Sequence, residues 1–213
     1  MLPIFIISFN NLTYVKSMVE QLKKYTTSIF IVDNCSTYPP LLKFLDSTDV
    51  KVIRMPQNYG HTVVYRNEIR KIGGDKYFIT DPDLLLNPNL PQDFMETLNK
   101  ISEKYQAYKV GFALDITKDI RDDVLLYGYY TIKQWESQMW RYPINDSEFP
   151  NLWKTGIDTT FCLVNHKYPK DVYIRVAGNF TAVHRPWLTY WKSEFQPGEL
   201  EFYKTHTKCS SWI

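Results

Sequence analysis

Over the first half of the chain, short apolar runs alternate with amphipathic stretches. The run from Pro3 to Ser8 predicts a buried strand. Val15, Met18, Val19 and Leu22 then recur at helical spacing, which predicts a helix from a cap at Asn11 or Thr13 to about Lys24. Ile29 to Val32 predicts a second strand, and Pro39-Pro40 opens a short helix, because proline is tolerated in a first turn. Val50 to Arg54 predicts a third strand. His61 to Ile72 predicts a helix stopped by Gly73-Gly74. Tyr77 to Thr80 is a fourth strand, Pro91 to Tyr105 a helix and Lys109 to Leu114 a fifth strand.

The second half is less regular. Residues 115 to about 155 mix charged and aromatic residues with weak periodicity, and Thr131 to Arg141 is the one helix expected there. Thr159 to Val164 and Ile174 to Val183 are strand-like, and Pro186 to Lys192 and Gly198 to Thr207 predict short helices.

Strand–helix alternation of this kind predicts an α/β fold with a mostly parallel sheet covered on both faces. Ligands in such sheets bind beyond the carboxyl ends of the strands. Four such ends stand out: Ser8-Phe9-Asn10, Asp33-Asn34, Arg54 to Asn58, and Asp81-Pro82-Asp83. All are polar, although the strands before them are not.

Composition narrows the classes. A length of 213 residues suits one domain with a real core. Sixteen Tyr, twelve Phe and six Trp exceed the needs of one core, so some are expected to line a binding surface. The net charge of +2 is scattered, which argues against a nucleic-acid partner. Cys35, Cys162 and Cys209 form neither a zinc spacing nor a disulfide framework, and a reducing, cytoplasmic compartment is expected. The opening apolar run lacks a basic flank and reads as a strand rather than a secretory signal. No stretch approaches the ~20 apolar residues of a membrane helix.

Asp81-Pro82-Asp83 carries the strongest chemistry. Pro82 keeps Asp81 out of the helical region. In an extended chain, residues two apart point the same way, roughly 6–7 Å apart. Two such carboxylates can hold a hard divalent cation, or one can hold it while the other takes a ribose hydroxyl. A solvated turn is the plainer reading of the same residues, and the strand-end position favours the site. Asp33 can accept from a base N–H or a ribose hydroxyl, or simply make an Asx turn before Pro39. Arg66, near the middle of its predicted helix, can stack on a base or pair with phosphate; a surface pair with Glu68 or Asp33 is the alternative. His184 precedes Arg185-Pro186-Trp187 and offers an imidazole that suits manganese as well as zinc, although a lone histidine is more often structural. Asp158, behind Gly156, can act as a general base, or as a turn acid.

In this order, Asp33-Asn-x-Ser36, Asn58-x-Gly60 with Arg66-Asn67, and Asp81-x-Asp83 resemble the nucleotide-binding half of GT-A fold, family-2-like glycosyltransferases. Trp135-Glu136-x-x-x-Trp140, Gly156-x-Asp158-Thr-Thr-Phe161 and His184-x-Pro186-Trp187 are similar to a viral and bacterial subset of that group, which includes capsid-glycosylating enzymes. The resemblance implies one GT-A domain over 1–213, with a nucleotide-binding half to 114 and an acceptor half beyond. It implies a UDP-sugar donor, a glycan or glycoprotein acceptor, a Mn2+ or Mg2+ cofactor, and inversion. Ser8, Asn10, Asp33, Arg66 and Asp81 would bind the nucleotide. Asp83, His184 and Asp81 would hold the metal, Asp158 would be the base, and Trp135, Glu136 and Trp187 would shape the sugar and acceptor pockets. Asn34-Cys35 departs from the acidic or glycine-bearing pairs frequent after the second strand of that family, which bears on base recognition.

Two other classes compete. A haloacid-dehalogenase-type phosphotransferase also uses D-x-D after a strand, but its usual following Thr or Val is replaced by Leu84-Leu85. A carbohydrate-binding module would use the aromatics but leave the four polar strand ends without a role. Neither dinucleotide nor P-loop glycine motifs occur.

Overall fold

The computed structural model describes residues 2–207, so Cys209 lies outside the described residues. Strand β1 (Ile4–Ser8) is wholly buried, and its side chains alternate between two cores. Ile4 and Ile6 join the larger core, and Phe5 and Ile7 the smaller one on the opposite face. This two-sided burial is why β1 reads as a continuous apolar run rather than an alternating one. It pairs in parallel with β2 (Ile29–Asp33) on one side and β4 (Lys76–Thr80) on the other; β2 in turn pairs with β3 (Lys51–Arg54).

Helix α1 (Leu12–Leu22) buries Val15, Met18, Val19 and Leu22 as the spacing predicts. Its cap is Asn11, whose side chain accepts the Tyr14 N–H at 3.0 Å. Thr13 has another duty: its N–H and hydroxyl donate to the buried Glu199 carboxylate at 2.8 and 2.6 Å. Helix α2 (Pro39–Ser47) starts at the two prolines.

The helix expected over 61–72 is broken. A 3-10 turn (Gly60–Tyr65) and α3 (Asn67–Gly73) flank Arg66, which is extended at φ −69°, ψ 154°. Thr62-Val-Val-Tyr65 has weak helix propensity. The Val64 carbonyl is taken by the Tyr77 hydroxyl at 3.1 Å. Arg66 therefore sits at the start of α3 and not within a longer helix.

After β4 comes the short β5 (Leu84–Leu86), then α4 (Phe94–Tyr105) and β6 (Lys109–Phe112). The hairpin β7 (Leu125–Leu126) and β8 (Tyr130–Thr131) leads into α5 (Ile132–Ser137), which is capped by Thr131 through a capping box with Gln134. This is shorter than the helix expected to Arg141, because Gln138–Trp140 tightens into a 3-10 turn. Strands β9 (Pro143–Ile144), β10 (Leu152–Lys154), β11 (Cys162–Asn165) and β12 (Tyr173–Val176) complete the main sheet.

The main sheet runs β3-β2-β1-β4-β11-β6-β12-β10-β9. Only β11 and β10 oppose the common direction. Strand β11 fits between β4 and β6 because Gly111 has no side chain: a Cβ there would lie 2.4 Å from the Phe161 carbonyl oxygen.

The strand expected over 174–183 is two strands. After β12 the chain turns at Gly178 (φ 67°) and leaves the main sheet. It then forms β13 (Ala182–His184), antiparallel to β5 with His184 opposite Leu84. The helix expected over 186–192 is two 3-10 turns, Arg185–Trp187 and Trp191–Glu194, and α6 (Glu199–His206) ends the described chain.

Candidate active site

Parallel register builds the first part of the site. Ser8 is opposite Asp33, and Asp33 is opposite Arg54, so three polar residues end neighbouring strands in a row. The Asp33 carboxylate is buried; its Oδ1 accepts the Ser36 N–H at 3.1 Å, the Asx turn. Its Oδ2 faces the Arg54 guanidinium at 3.6 Å, so Arg54 rather than Arg66 is its cationic neighbour. Asn10 adopts a left-handed backbone (φ 51°), and its Oδ1 accepts the N–H groups of Thr37 and Tyr38 at 2.7 and 2.9 Å. Those N–H groups precede the α2 prolines and have no helical acceptor. Ser8 Oγ and Asn10 Nδ2 are buried without a partner among the described residues. Such atoms are uncommon in folded proteins and point to a ligand or water.

Asn34 replaces chemistry with scaffolding. Its amide donates to Asn58 Oδ1 at 2.8 Å and to the Gly60 carbonyl at 2.9 Å, and its Oδ1 accepts the Tyr59 N–H at 2.8 Å. This holds Tyr59 beneath the exposed Arg66, whose guanidinium stacks 4.3 Å from the ring.

The second part of the site joins distant segments. Asp81 follows β4; its N–H donates to the Thr159 carbonyl at 3.0 Å, and its Oδ2 accepts the Thr159 hydroxyl at 2.8 Å. Asp83 lies next to β5 and is 7% exposed. The β5–β13 register sets His184 Nε2 at 3.4 Å from Asp83 Oδ2. Asp83 Oδ1 and His184 Nδ1 are buried and unpartnered among the described residues. Trp187 covers the imidazole at 4.5 Å and is itself buried.

Electrostatics follow from this crowding. Burial, then the charge of Asp83, raises the Asp81 pKa to about 7. Burial disfavours the His184 imidazolium, yet the surrounding carboxylates, Asp83 foremost, together outweigh it, and the net shift is upward. A pocket that holds a proton among two carboxylates and an imidazole suits a cation in its place. No three His, Cys, Asp or Glu side chains close on one point among the described residues. Of the three expected ligands, Asp83 and His184 approach to 3.4 Å, while one Asp81 oxygen accepts from Thr159. Two protein ligands fit a cation that completes its shell with substrate phosphates and water. The donor set, one carboxylate and one imidazole, suits Mn2+ better than Mg2+, which prefers oxygen donors alone.

Asp158 is exposed and immediately precedes Thr159, the residue bonded twice to Asp81. The residues expected to shape the sugar and acceptor pockets separate. Trp187 is against His184. Trp135 instead packs in tilted contact with Tyr127 at 4.7 Å and Tyr130 at 5.7 Å, against the hairpin. Glu136 is 2% exposed and ion-paired with Arg175, because a helix turns adjacent residues to different sides. Its carboxylate is thus closed off against Arg175 rather than open to a sugar. Thr159, Lys109 and Arg175 were not singled out from sequence. A signal existed for the two cations: Lys109 opens and Arg175 interrupts an otherwise apolar strand, where a charge is rare.

The model of glycosyl transferase family 2 matches residues 4–164. No curated protein sequence matches the chain. Among solved structures, the mannosyltransferase PcManGT from Pyrobaculum calidifontis, in complex with GDP-Man and Mn2+, aligns with 98% of this chain at 11% identity and a TM-score of 0.54. This chain spans 65% of that protein's length. HddC from Yersinia pseudotuberculosis, complexed with GMP-PN, aligns with 97% of this chain and all of its own length, at 10% identity and a TM-score of 0.51. At these identities the likeness establishes a shared fold, a GT-A-like α/β sheet flanked by helices. No helix among the described residues is long and apolar enough to cross a membrane. With three quarters of its length, from β1 through β11, matched to the family model, the chain belongs to glycosyl transferase family 2.

Proposed function

We propose that this chain transfers a hexose from a nucleoside-diphosphate sugar, UDP-linked, to a hydroxyl of a glycan or glycoprotein, with inversion. The observation that carries the reading is the Asp83–His184 pair. It presents unpartnered buried atoms on both members, and Ser8 and Asn10, which also carry unpartnered atoms, lie at the end of β1, the strand paired with β4. A base and ribose would meet Ser8, Asn10 and Asp33, with Arg66 at the rim. The diphosphate would then lie toward Asp83 and His184.

Asp83 and His184 would hold Mn2+ or Mg2+, which as a Lewis acid neutralises charge on the departing diphosphate, a contribution of several kcal/mol. Asp81 orients the donor from its fixed position against Thr159. Trp187 excludes water from the His184 side, which strengthens electrostatic interactions there. Asp158, the exposed carboxylate next to Thr159, takes the proton of the attacking hydroxyl. Direct displacement by that hydroxyl inverts the anomeric centre. General-base assistance of this kind contributes about 10²–10⁴ in rate.

A thermal-shift panel of UDP, GDP and their sugars, with and without Mn2+, tests the reading by mass action. Metal-dependent stabilisation by one nucleotide family is expected, and its loss in Asp83→Ala. Stabilisation that persists undiminished in chelator would remove the metal role of Asp83.

A further inference from the structure

Two buried cations lie behind the loop that carries Asp158. Lys109 opens β6 and Arg175 lies in the adjacent parallel strand β12; they are 5% and 6% exposed. The Lys109 ammonium donates to the carbonyls of Ile157 at 3.0 Å and Asp158 at 2.6 Å. It also lies 5.6 Å from the Tyr65 ring centroid. The Arg175 Nε donates to the Gly156 carbonyl at 2.9 Å, while its Nη1 pairs with Glu136. Three consecutive carbonyls, 156 to 158, thus end on two interior cations. The next residue, Thr159, is bonded twice to Asp81. Of this tightly held segment, the Asp158 side chain is turned to solvent.

An ammonium with only carbonyl oxygens as hydrogen-bond acceptors is a costly way to fill a strand end. A buried ion is weak evidence for stability, and an apolar residue of similar volume commonly does as well or better. What the two cations supply and an apolar residue does not is directional anchoring of the backbone. We infer that Lys109 and Arg175 are positioning residues, a cationic clamp that fixes the backbone of residues 156–158 and thereby aims the Asp158 carboxylate at the pocket of Asp81, Asp83 and His184. The inference rests on the reading of Asp158 as the base. Through Thr159 the same clamp ties the base to the donor-binding carboxylate, so the two ends of the reaction share one rigid segment. Near-attack geometry is sensitive on this scale: a displacement of about 1 Å can cost about 10²-fold in rate.

The test is a double-mutant cycle on the purified chain with Mn2+, following release of UDP from UDP-glucose and of GDP from GDP-mannose with water as acceptor. Lys109→Met is expected to lower kcat about 10- to 100-fold and leave the donor KM within about twofold, since the nucleotide row on β1 and β2 is untouched. In an Asp158→Asn background the same substitution should cost almost nothing more, because a misplaced base and an absent one are equivalent. A purely structural lysine would instead lower both backgrounds equally, and that additive result, or an unchanged kcat in Lys109→Met, overturns the clamp alone. A full-rate Asp158→Asn single variant removes the base assignment and the clamp with it. If Lys109→Met does not fold, Arg175→Lys takes its place with the same expected outcomes. If the wild type hydrolyses neither donor, amide exchange decides. Residues 156–159 should exchange at least about tenfold faster in the variant with β1 unchanged, and equal exchange there overturns the clamp.

Discussion

The two halves of the site are built differently. On the β3-β2-β1-β4 side, polar residues end parallel strands, and register alone lines up Ser8 on the buried β1, Asp33 on the mostly buried β2 and Arg54 on the more exposed β3. On the β11–β13 side, the chain reverses, breaks and changes sheets before His184 meets Asp83 and Thr159 meets Asp81. The first half is a repeating solution, in which one strand's end predicts the next. The second is a single solution that depends on a glycine turn, a two-stranded ribbon and buried cations. The proposed nucleotide row should therefore tolerate change one residue at a time, whereas the proposed metal and base side should fail through its connections.

The sharpest test of that contrast is Asp83→Ala against Ser8→Ala. Removing Asp83 should abolish metal-dependent nucleotide binding and lower turnover by roughly 10³-fold, in line with several kcal/mol of Lewis-acid stabilisation. Ser8→Ala should cost roughly tenfold or less in nucleotide affinity, the scale of one neutral hydrogen bond. Calorimetric titration with UDP and Mn2+ reads both, and equal losses would break the comparison.

A second test lies in the sheet itself. Gly111→Ala places a methyl against the Phe161 carbonyl and the Cys162 side chain. It should destabilise the fold by about 1–3 kcal/mol, read as a lower urea midpoint. It should also weaken the Asp81–Thr159 contact, because Phe161 and Thr159 belong to the same segment.

A third test uses pH. The folded Asp81 pKa, about 7, lies above the unfolded value, so the folded state keeps a proton that the unfolded state has lost. The metal-free protein should accordingly lose stability as pH rises from about 4 to about 7, the direction that linkage requires. Thermal melts at pH 5 and pH 8 should show a lower midpoint at the higher pH. Asp81→Asn should flatten the difference, and Mn2+ should raise the midpoint most at the higher pH.

The smallest effect is on the regular side. Asn11→Ala removes the α1 cap and should cost about 1 kcal/mol, with metal-dependent binding unchanged. A comparable loss of UDP binding would show that the nucleotide row is less independent than its register suggests.

Much of the first half was legible in the sequence because its signals are local. Apolar runs marked β1, β2 and β4, prolines opened α2, and the spacing of Val15, Met18, Val19 and Leu22 marked the buried face of α1. The broken helix over 61–72 was not legible, since its break involves a hydroxyl from Tyr77, a strand away. Nor was the division at Gly178: an apolar run looks the same whether it stays in one sheet or crosses to another. Glu136 was visible as an acid near aromatics, but its burial against Arg175 needed the partner strand.

By itself, the sequence determined the order of elements, the two-faced burial of the strands and the polar character of the strand ends, because hydrophobic period and chain breakers act over a few residues. The tertiary structure decided which of those polar residues meet. His184 lies about a hundred residues from Asp83 and reaches it only through the pairing of β13 with β5. Asp158 ends a segment, 156–158, whose carbonyls are held by cations from two other strands. Long-range pairing is set by the packing of whole sheets, and no local pattern encodes it.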